Sequence, residues 1–128
     1  MSLMELPFDE NYFDIVICNH VLEHVADMQK TVAEIHRVLK KGGFAILQTP
    51  FSKVFHKHFE DSGIMTDEQR DFFYGQYDHV RIVSERQFLK DLKAGFQLDV
   101  VKHKNLFDSN FAKKYGVNSK EDLIKVVK

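Results

Sequence analysis

The hydrophobic period changes twice between Asp14 and Leu47, and this constrains the fold more than any other feature of the chain. Asp14 to Cys18 reads D-I-V-I-C. A continuous β-branched run of this kind fits a strand buried on both faces of a parallel sheet. Asp27 is then placed to cap a helix. Met28, Val32, Ile35, Val38 and Leu39 follow at i, i+4, i+7, i+10 and i+11, which form one helical stripe. Lys40 and Lys41 suit the negative end of the helix dipole. Gly42-Gly43 stops the helix, with Gly42 free to adopt the left-handed cap conformation. Phe44 to Leu47 (F-A-I-L) is a second buried strand, ended by Thr49-Pro50. Strand, amphipathic helix and strand make a βαβ unit, whose crossover is expected to be right-handed.

Length and charge bound what such a unit can belong to. The chain has 128 residues, which fits one domain. Eighteen Lys and Arg against nineteen Asp and Glu leave a net charge of −1. That balance gives no basic surface for nucleic acid and no acidic tail. No apolar run approaches the roughly 18 residues of a membrane helix. Met1-Ser2-Leu3-Met4 lacks a basic region followed by an apolar stretch, so it does not read as a signal peptide. The second Met, at position 4, reads as the true start behind a short expression remnant. The single cysteine, Cys18, excludes an intrachain disulfide framework and fits a reducing cytoplasm. Inside an apolar strand it reads as a buried, inert thiol.

Residues 51–79 differ from the rest. Phe51, Phe55, Phe59, Phe72, Phe73, Tyr74 and Tyr77 crowd this stretch. An insertion of this length between core elements points to a functional wall or a satellite core. Thr66-Asp67-Glu68-Gln69 resembles a capping box opening a short helix. Ser84-Glu85-Arg86-Gln87 is a second one, followed by the stripe Phe88, Leu89, Leu92 and closed by Gly95. Gln97 to Val101 reads as a strand and the following residues as a loop. The tail from Ser119 is expected to end in a strand through Leu123, Ile124, Val126 and Val127, although Ser119 and Asp122 could also cap a helix. The order β-α-β-insertion-α-β-loop-β indicates an α/β domain with a mostly parallel sheet. Ligands bind such sheets at the carboxyl ends of the strands, here Asn19-His20 and Thr49-Pro50-Phe51.

Several groups could carry chemistry. His20-Val21-Leu22-Glu23-His24 matches H-x-x-E-H, the inverted zinc-peptidase signature. That chemistry needs both histidines on one helical face, the glutamate as base and a third ligand elsewhere. The short match directly follows a buried strand, and no downstream helix offers an obvious acidic ligand. No metal is therefore assigned, and zinc hydrolysis stays a minor alternative. His56 and His58 are expected to be solvated, and His36 and His103 to lie on the surface. Asn19 and His20 are polar residues where a strand ends, able to contact a ligand or simply to satisfy a turn. Asp78, His79 and Arg81 form either a polar rim beside those strand ends or a salt-bridged turn.

At these residues the sequence resembles the C-terminal half of a class I S-adenosylmethionine-dependent methyltransferase of the type 11 kind. The resemblance rests on Leu6-Pro7-Phe8-Asp9 with Tyr12-Phe13-Asp14-Ile15-Val16, and on Asn19-His20-Val21-Leu22-Glu23-His24-Val25. Glu34 through Gly43 continue it. Gly75-Gln76-Tyr77-Asp78-His79-Val80-Arg81 with Ala94-Gly95-Phe96 is similar to a subgroup carrying G-Q-x-D-H-V-R. The resemblance implies a partial Rossmann-like sheet, strands 4-5-7-6 of the family order, with an antiparallel last strand and helices on both faces. It implies S-adenosylmethionine as cofactor, approached by Glu5, Leu6, Asn19, His20, Val21 and His24. Phe51, Phe55, Asp78 and Arg81 would face the substrate, and His79 would be the catalytic base.

The family's first strand, glycine-rich loop and ribose-binding acid have no counterpart in these 128 residues. The chain is therefore expected to be a truncated methyltransferase domain, inactive alone, acting on a small-molecule acceptor and not on nucleic acid or a membrane. The alternative is a non-catalytic half-domain that works by oligomerising or by binding a partner. In either case an apolar edge at Asp14–Cys18 would be open to pairing with a second copy, giving a homodimer.

Overall fold

The computed structural model describes residues 2–118 and 120–128. The expected capping role of Ser119 and the reading of Met1 lie outside the described residues. The elements are β1 (Phe13–Asn19), α1 (Met28–Val38), β2 (Leu39–Gln48), β3 (Phe51–Ser52), α2 (Asp67–Tyr74), β4 (Val83–Ser84), α3 (Glu85–Lys93), β5 (Gln97–Val101), α4 (His103–Leu106), α5 (Ser109–Tyr115) and β6 (Leu123–Val127).

The main sheet has the order β1-β2-β6-β5. β1 and β2 pair in parallel, whereas β6 is antiparallel to both β2 and β5. This is the expected mixed α/β sheet with an antiparallel last strand. A second, two-stranded sheet pairs β3 with β4 in parallel, which the sequence did not suggest because each strand has only two residues.

Side chains of β1, β2 and β6 alternate between two faces, as a period of two requires. Cys18, Ala45, Leu47, Ile124 and Val126 turn to one face. There they pack with Met28 and Ile35 of α1 and with Phe88 and Leu92 of α3. On the other face Ile15 is 50% exposed and Ile17 72% exposed. The expectation that D-I-V-I-C is buried on both faces is therefore corrected. β1 is an edge strand, and no described element covers this side of it.

α1 begins where the sequence places it. The Asp27 side chain accepts from the Lys30 N–H at 2.9 Å, and Thr31 Oγ1 donates to the Asp27 carbonyl. It ends earlier than expected, at Val38. Leu39 is extended, fully buried and paired with Phe13. Burial of Leu39 thus overrides the Lys-Lys-Gly-Gly stop signal. Gly42 does have positive φ, at 78°, but within an irregularity of β2 rather than as a helix cap. There Phe13 pairs with Leu39 and Ile15 already with Phe44. Gly43 lies against β1, and a Cβ on it would sit 2.8 Å from the Asp14 carbonyl oxygen and 2.9 Å from that of Lys40.

α2 opens with the full capping box of Thr66 and Gln69 and closes on Gly75 at φ 82°. α3 is capped by Ser84 alone, because Gln87 turns its amide to Asp91 at 2.6 Å. The expected loop after β5 contains α4 and α5. α5 is capped by Asp108 and closed by Gly116 in the left-handed conformation. His103, expected on the surface, is 8% exposed, and its N–H donates to Asp122. Among the described residues no helix is long and apolar enough to cross a membrane.

Candidate functional site

A polar cluster forms where β1 and β2 end. β1 leaves the sheet at Asn19, and the His20 N–H still donates to the Gln48 carbonyl at 2.8 Å. His20 then takes φ 52°, a left-handed conformation uncommon for a residue with a Cβ. It redirects the chain, and residues 21–25 form a turn in which the His24 N–H bonds to the Val21 carbonyl. Leu22, fully buried, anchors this turn in the core.

A helix would satisfy the carbonyls of residues 22–26 internally; here Arg81 takes those of residues 22, 25 and 26. Its guanidinium donates to the carbonyls of Leu22 (2.9 Å), Val25 and Ala26 (3.0 Å), and to Glu60 Oε2 at 2.7 Å. The Val80 N–H adds a bond to the Glu23 carbonyl. Arg81 is 4% exposed. It was expected to face a substrate; in the structure its donors are committed to the turn and to Glu60.

Glu23 is 2% exposed. Thr49 Oγ1 donates to its Oε2 at 2.7 Å. Its Oε1 lies 3.5 Å from His20 Nδ1 and 3.8 Å from His24 Nε2. His24 turns its other nitrogen to Asp78, 3.1 Å from the carbonyl oxygen and 3.4 Å from Oδ2. The His79 ring stands edge-on to His24 with centroids 4.7 Å apart. Thus His24, Asp78 and His79 come together across more than fifty residues of sequence, with His20 joined to them through Glu23. Glu23 was named only as the base of the H-x-x-E-H motif and Thr49 only as part of a strand end; the bond that joins them was not expected.

Beside the cluster is a cavity of about 170 Å³ lined by Glu23, Phe51, Tyr74, His79 and Arg81, among others. Phe51 is half-buried and packs on Phe88 at 5.5 Å. Phe55 stacks on Phe59 and remains 41% exposed. Asn19 is exposed and Val21 half-buried.

Glu5 and Leu6 are not brought to this group. The Leu6 N–H donates to Glu34 and its carbonyl accepts from Arg37. Arg37 lies beside Asn11, just before β1 begins, whereas Asn19 and His20 leave β1 at its other end. The H-x-x-E-H reading also fails on geometry. Its residues form a turn and not a helix, and the glutamate is buried against Thr49 instead of standing free as a base. His58 is corrected from solvated to half-buried: its Nδ1 accepts from the Ser84 N–H, and its Nε2 faces Asp91 at 3.5 Å. His56 is exposed beside Arg86. His36 is half-buried against Phe96, and burial lowers its pKa. Burial, with Glu23 nearby, pushes the Cys18 thiol up to about 11.

Residues 1–47 match the family model described as a methyltransferase domain. Solved methyltransferase-like chains align over nearly all of this chain. The YcgJ protein of Bacillus subtilis aligns over 100% of this chain and 69% of its own, with TM-score 0.65 and 17% identity. An S-adenosylmethionine-dependent methyltransferase of Mesorhizobium loti aligns over 100% and 67%, with TM-score 0.63 and 15% identity. The chain carries a class I methyltransferase fold.

Sequence relatives agree with the methyltransferase resemblance. A demethylmenaquinone methyltransferase of Symbiobacterium thermophilum is 45% identical over 55 residues, 41% of this chain and 22% of that protein. A ubiquinone/menaquinone biosynthesis C-methyltransferase of Vibrio vulnificus is 28% identical over 106 residues, 73% of this chain and 41% of that protein. The matched segments thus span less than half the length of these two relatives. The observed order β1-β2-β6-β5, with β6 antiparallel, is compatible with the sheet the resemblance implies, and the histidine cluster lies at the carboxyl ends of β1 and β2.

Proposed function

We propose that this chain serves S-adenosylmethionine-dependent methyl transfer to a small-molecule acceptor. The observation that carries the proposal is the cluster of His20, His24, Asp78 and His79 at the strand ends, beside a cavity walled by Phe51 and Tyr74. Asn19 and His20 fit one wall of a nucleoside-bearing ligand, since both are exposed and polar where the left-handed His20 opens the chain. When bound, the cofactor supplies a methyl group on a sulfonium centre. This chain's residues would orient the acceptor in line with that methyl and exclude water from it. A free imidazole nitrogen of His79 would accept the acceptor's proton where methylation requires its loss. Arg81 would hold the turn that presents Glu23 and His24.

The test is a calorimetric titration with S-adenosylhomocysteine. Stoichiometric micromolar binding, weakened at least tenfold by His20→Ala, is the expected result. No binding at millimolar ligand would overturn the proposal for this chain and leave it a fold fragment. His79→Gln is expected to lower kcat while leaving that binding unchanged.

A second reading, a half-domain that works by homodimerising, is favoured by one observation. β1 is an edge strand, and Ile15 and Ile17 are exposed on it. An open apolar edge is a template for strand pairing. The lone buried Cys18 also supports a reducing, cytoplasmic setting.

A further inference from the structure

We propose that Glu23, His24 and His79 form a binding site for one divalent transition-metal ion of the zinc type. The inference is independent of the reading as a methyltransferase and begins from an electrostatic difficulty. A carboxylate that is 2% exposed is costly unless it is paired. Among the described residues no lysine or arginine pairs with Glu23; its ion-pair neighbours are His20 and His24. The nearby Arg81 is engaged with Glu60 and three carbonyls. Among the described residues the Glu23 carboxylate is therefore met by histidines and Thr49 and by no lysine or arginine.

The donors are arranged to receive an ion. Thr49 occupies Glu23 Oε2, leaving Oε1 directed at the histidines. Asp78 lies against His24 Nδ1. A proton on Nδ1 donated to Asp78 leaves the Nε2 lone pair facing Glu23 Oε1 at 3.8 Å. A carboxylate or carbonyl behind a ligating imidazole is the usual support of such sites, fixing both tautomer and ring direction. His79 brings the third donor, and one ligand atom from each of the three residues lies within 4.8 Å of the others. Ligands around zinc at roughly 2 Å each need to approach one another more closely than that. The required contraction is available to His79, whose half-buried ring is held by no side-chain hydrogen bond among the described residues. His20 Nδ1 lies 3.5 Å from Glu23 Oε1 but outside the group of three.

The donor chemistry selects the ion. Two imidazoles and one carboxylate suit zinc, cobalt or nickel, and fit poorly with calcium or magnesium, which take oxygen ligands. The arrangement also differs from the inverted peptidase signature in the same residues. There the glutamate would be a free base between two helical ligands; here it is a ligand, and the third donor comes from residue 79. An ion bound to the free nitrogen of His79 excludes that nitrogen from accepting a proton, so the two uses of His79 are mutually exclusive.

The experiment is calorimetric titration of the whole chain with zinc chloride, in parallel with cobalt(II) followed by visible absorption. The expected result is one equivalent bound with micromolar or tighter Kd, and a cobalt spectrum of low-symmetry coordination. His79→Ala and Glu23→Gln should each weaken binding at least tenfold. His24→Ala, which removes a proposed ligand, should do the same. Circular dichroism establishes that each variant is folded; should Glu23→Gln fail to fold, His79→Ala and His24→Ala carry the test. Absence of stoichiometric binding would overturn the proposal. So would binding unchanged in His79→Ala and His24→Ala, which would move the ion to another site such as His56 and His58.

Discussion

The Arg81 guanidinium donates to the Leu22 carbonyl at 2.9 Å across 59 residues of chain. This bond, with those to Val25 and Ala26, supplies three carbonyls of an irregular turn with donors that a helix would otherwise provide. The aromatic insertion and the end of β1 are thereby one structural unit.

Replacing Arg81 is therefore expected to be costly. Arg81→Met should destabilise the fold by about 3 kcal/mol, since several buried acceptors lose a charged donor at once. Arg81→Lys should recover only part of this, because one ammonium cannot reach three carbonyls and Glu60 together. Urea unfolding midpoints measure both; equal stability of wild type and Arg81→Met would contradict the clamp.

Gly43 and Gly42 give a paired prediction. Gly43→Ala places a methyl 2.8 Å from the Asp14 carbonyl oxygen, which belongs to the neighbouring strand. The expected loss is about 1–3 kcal/mol through displacement of β1. Gly42→Ala meets no atom within 4 Å but must hold φ 78°, at a cost of roughly 1–2 kcal/mol. Amide exchange separates them: only Gly43→Ala should accelerate exchange along β1.

Acid sensitivity is expected from Glu34. The side-chain hydrogen bonds from Arg37, then the Leu6 N–H, hold its carboxyl down to about 2. A depressed pKa in the folded state contributes stability that is present above the unfolded value, 4.5, and lost as pH falls toward the folded value. Urea midpoints should thus fall between about pH 5 and pH 2 more steeply for wild type than for Glu34→Gln. Parallel profiles would remove Glu34 from the account.

Ile17→Lys tests the exposed edge. Ile17 is 72% exposed, so the change should alter monomer stability by no more than about 0.5 kcal/mol. Light scattering should show the wild-type chain self-associating and the variant not. A wild type that stays monomeric at high concentration would sink the homodimer reading.

Cys18 should resist alkylation in the native protein. With its thiol pushed up to about 11 and the side chain buried, very little thiolate exists near neutral pH. Iodoacetamide at about pH 8 should label it only after denaturant is added. Rapid native labelling would mean that β1 opens readily.

Local signals were the legible part of the fold. Asp27, Thr66 with Gln69, and Ser84 cap the helices they announce, because a cap requires only neighbours in sequence. The end of α1 was misread because burial of Leu39 against Phe13 is a long-range effect. α5 was missed although Asp108 and Gly116 punctuate it; its short apolar content gave no stripe. The strand order followed from the resemblance, since periodicity cannot say which strands are neighbours. Within the candidate site, the strand-end argument named His20 and the G-Q-x-D-H-V-R segment named His79, whereas Asn19 makes no contact with the cluster among the described bonds. The role of Arg81 was not legible, since backbone carbonyls carry no sequence signature.

The order β1-β2-β6-β5 has a consequence for synthesis. β6 is made after β5, yet it is the strand that joins β5 to β2. While the chain leaves the ribosome, the β1-α1-β2 unit can assemble early, but β5 has no strand partner until Leu123–Val127 emerge. The sheet therefore closes in a late step that inserts an antiparallel strand between two existing ones, joining segments far apart in sequence, a kind of pairing that forms slowly.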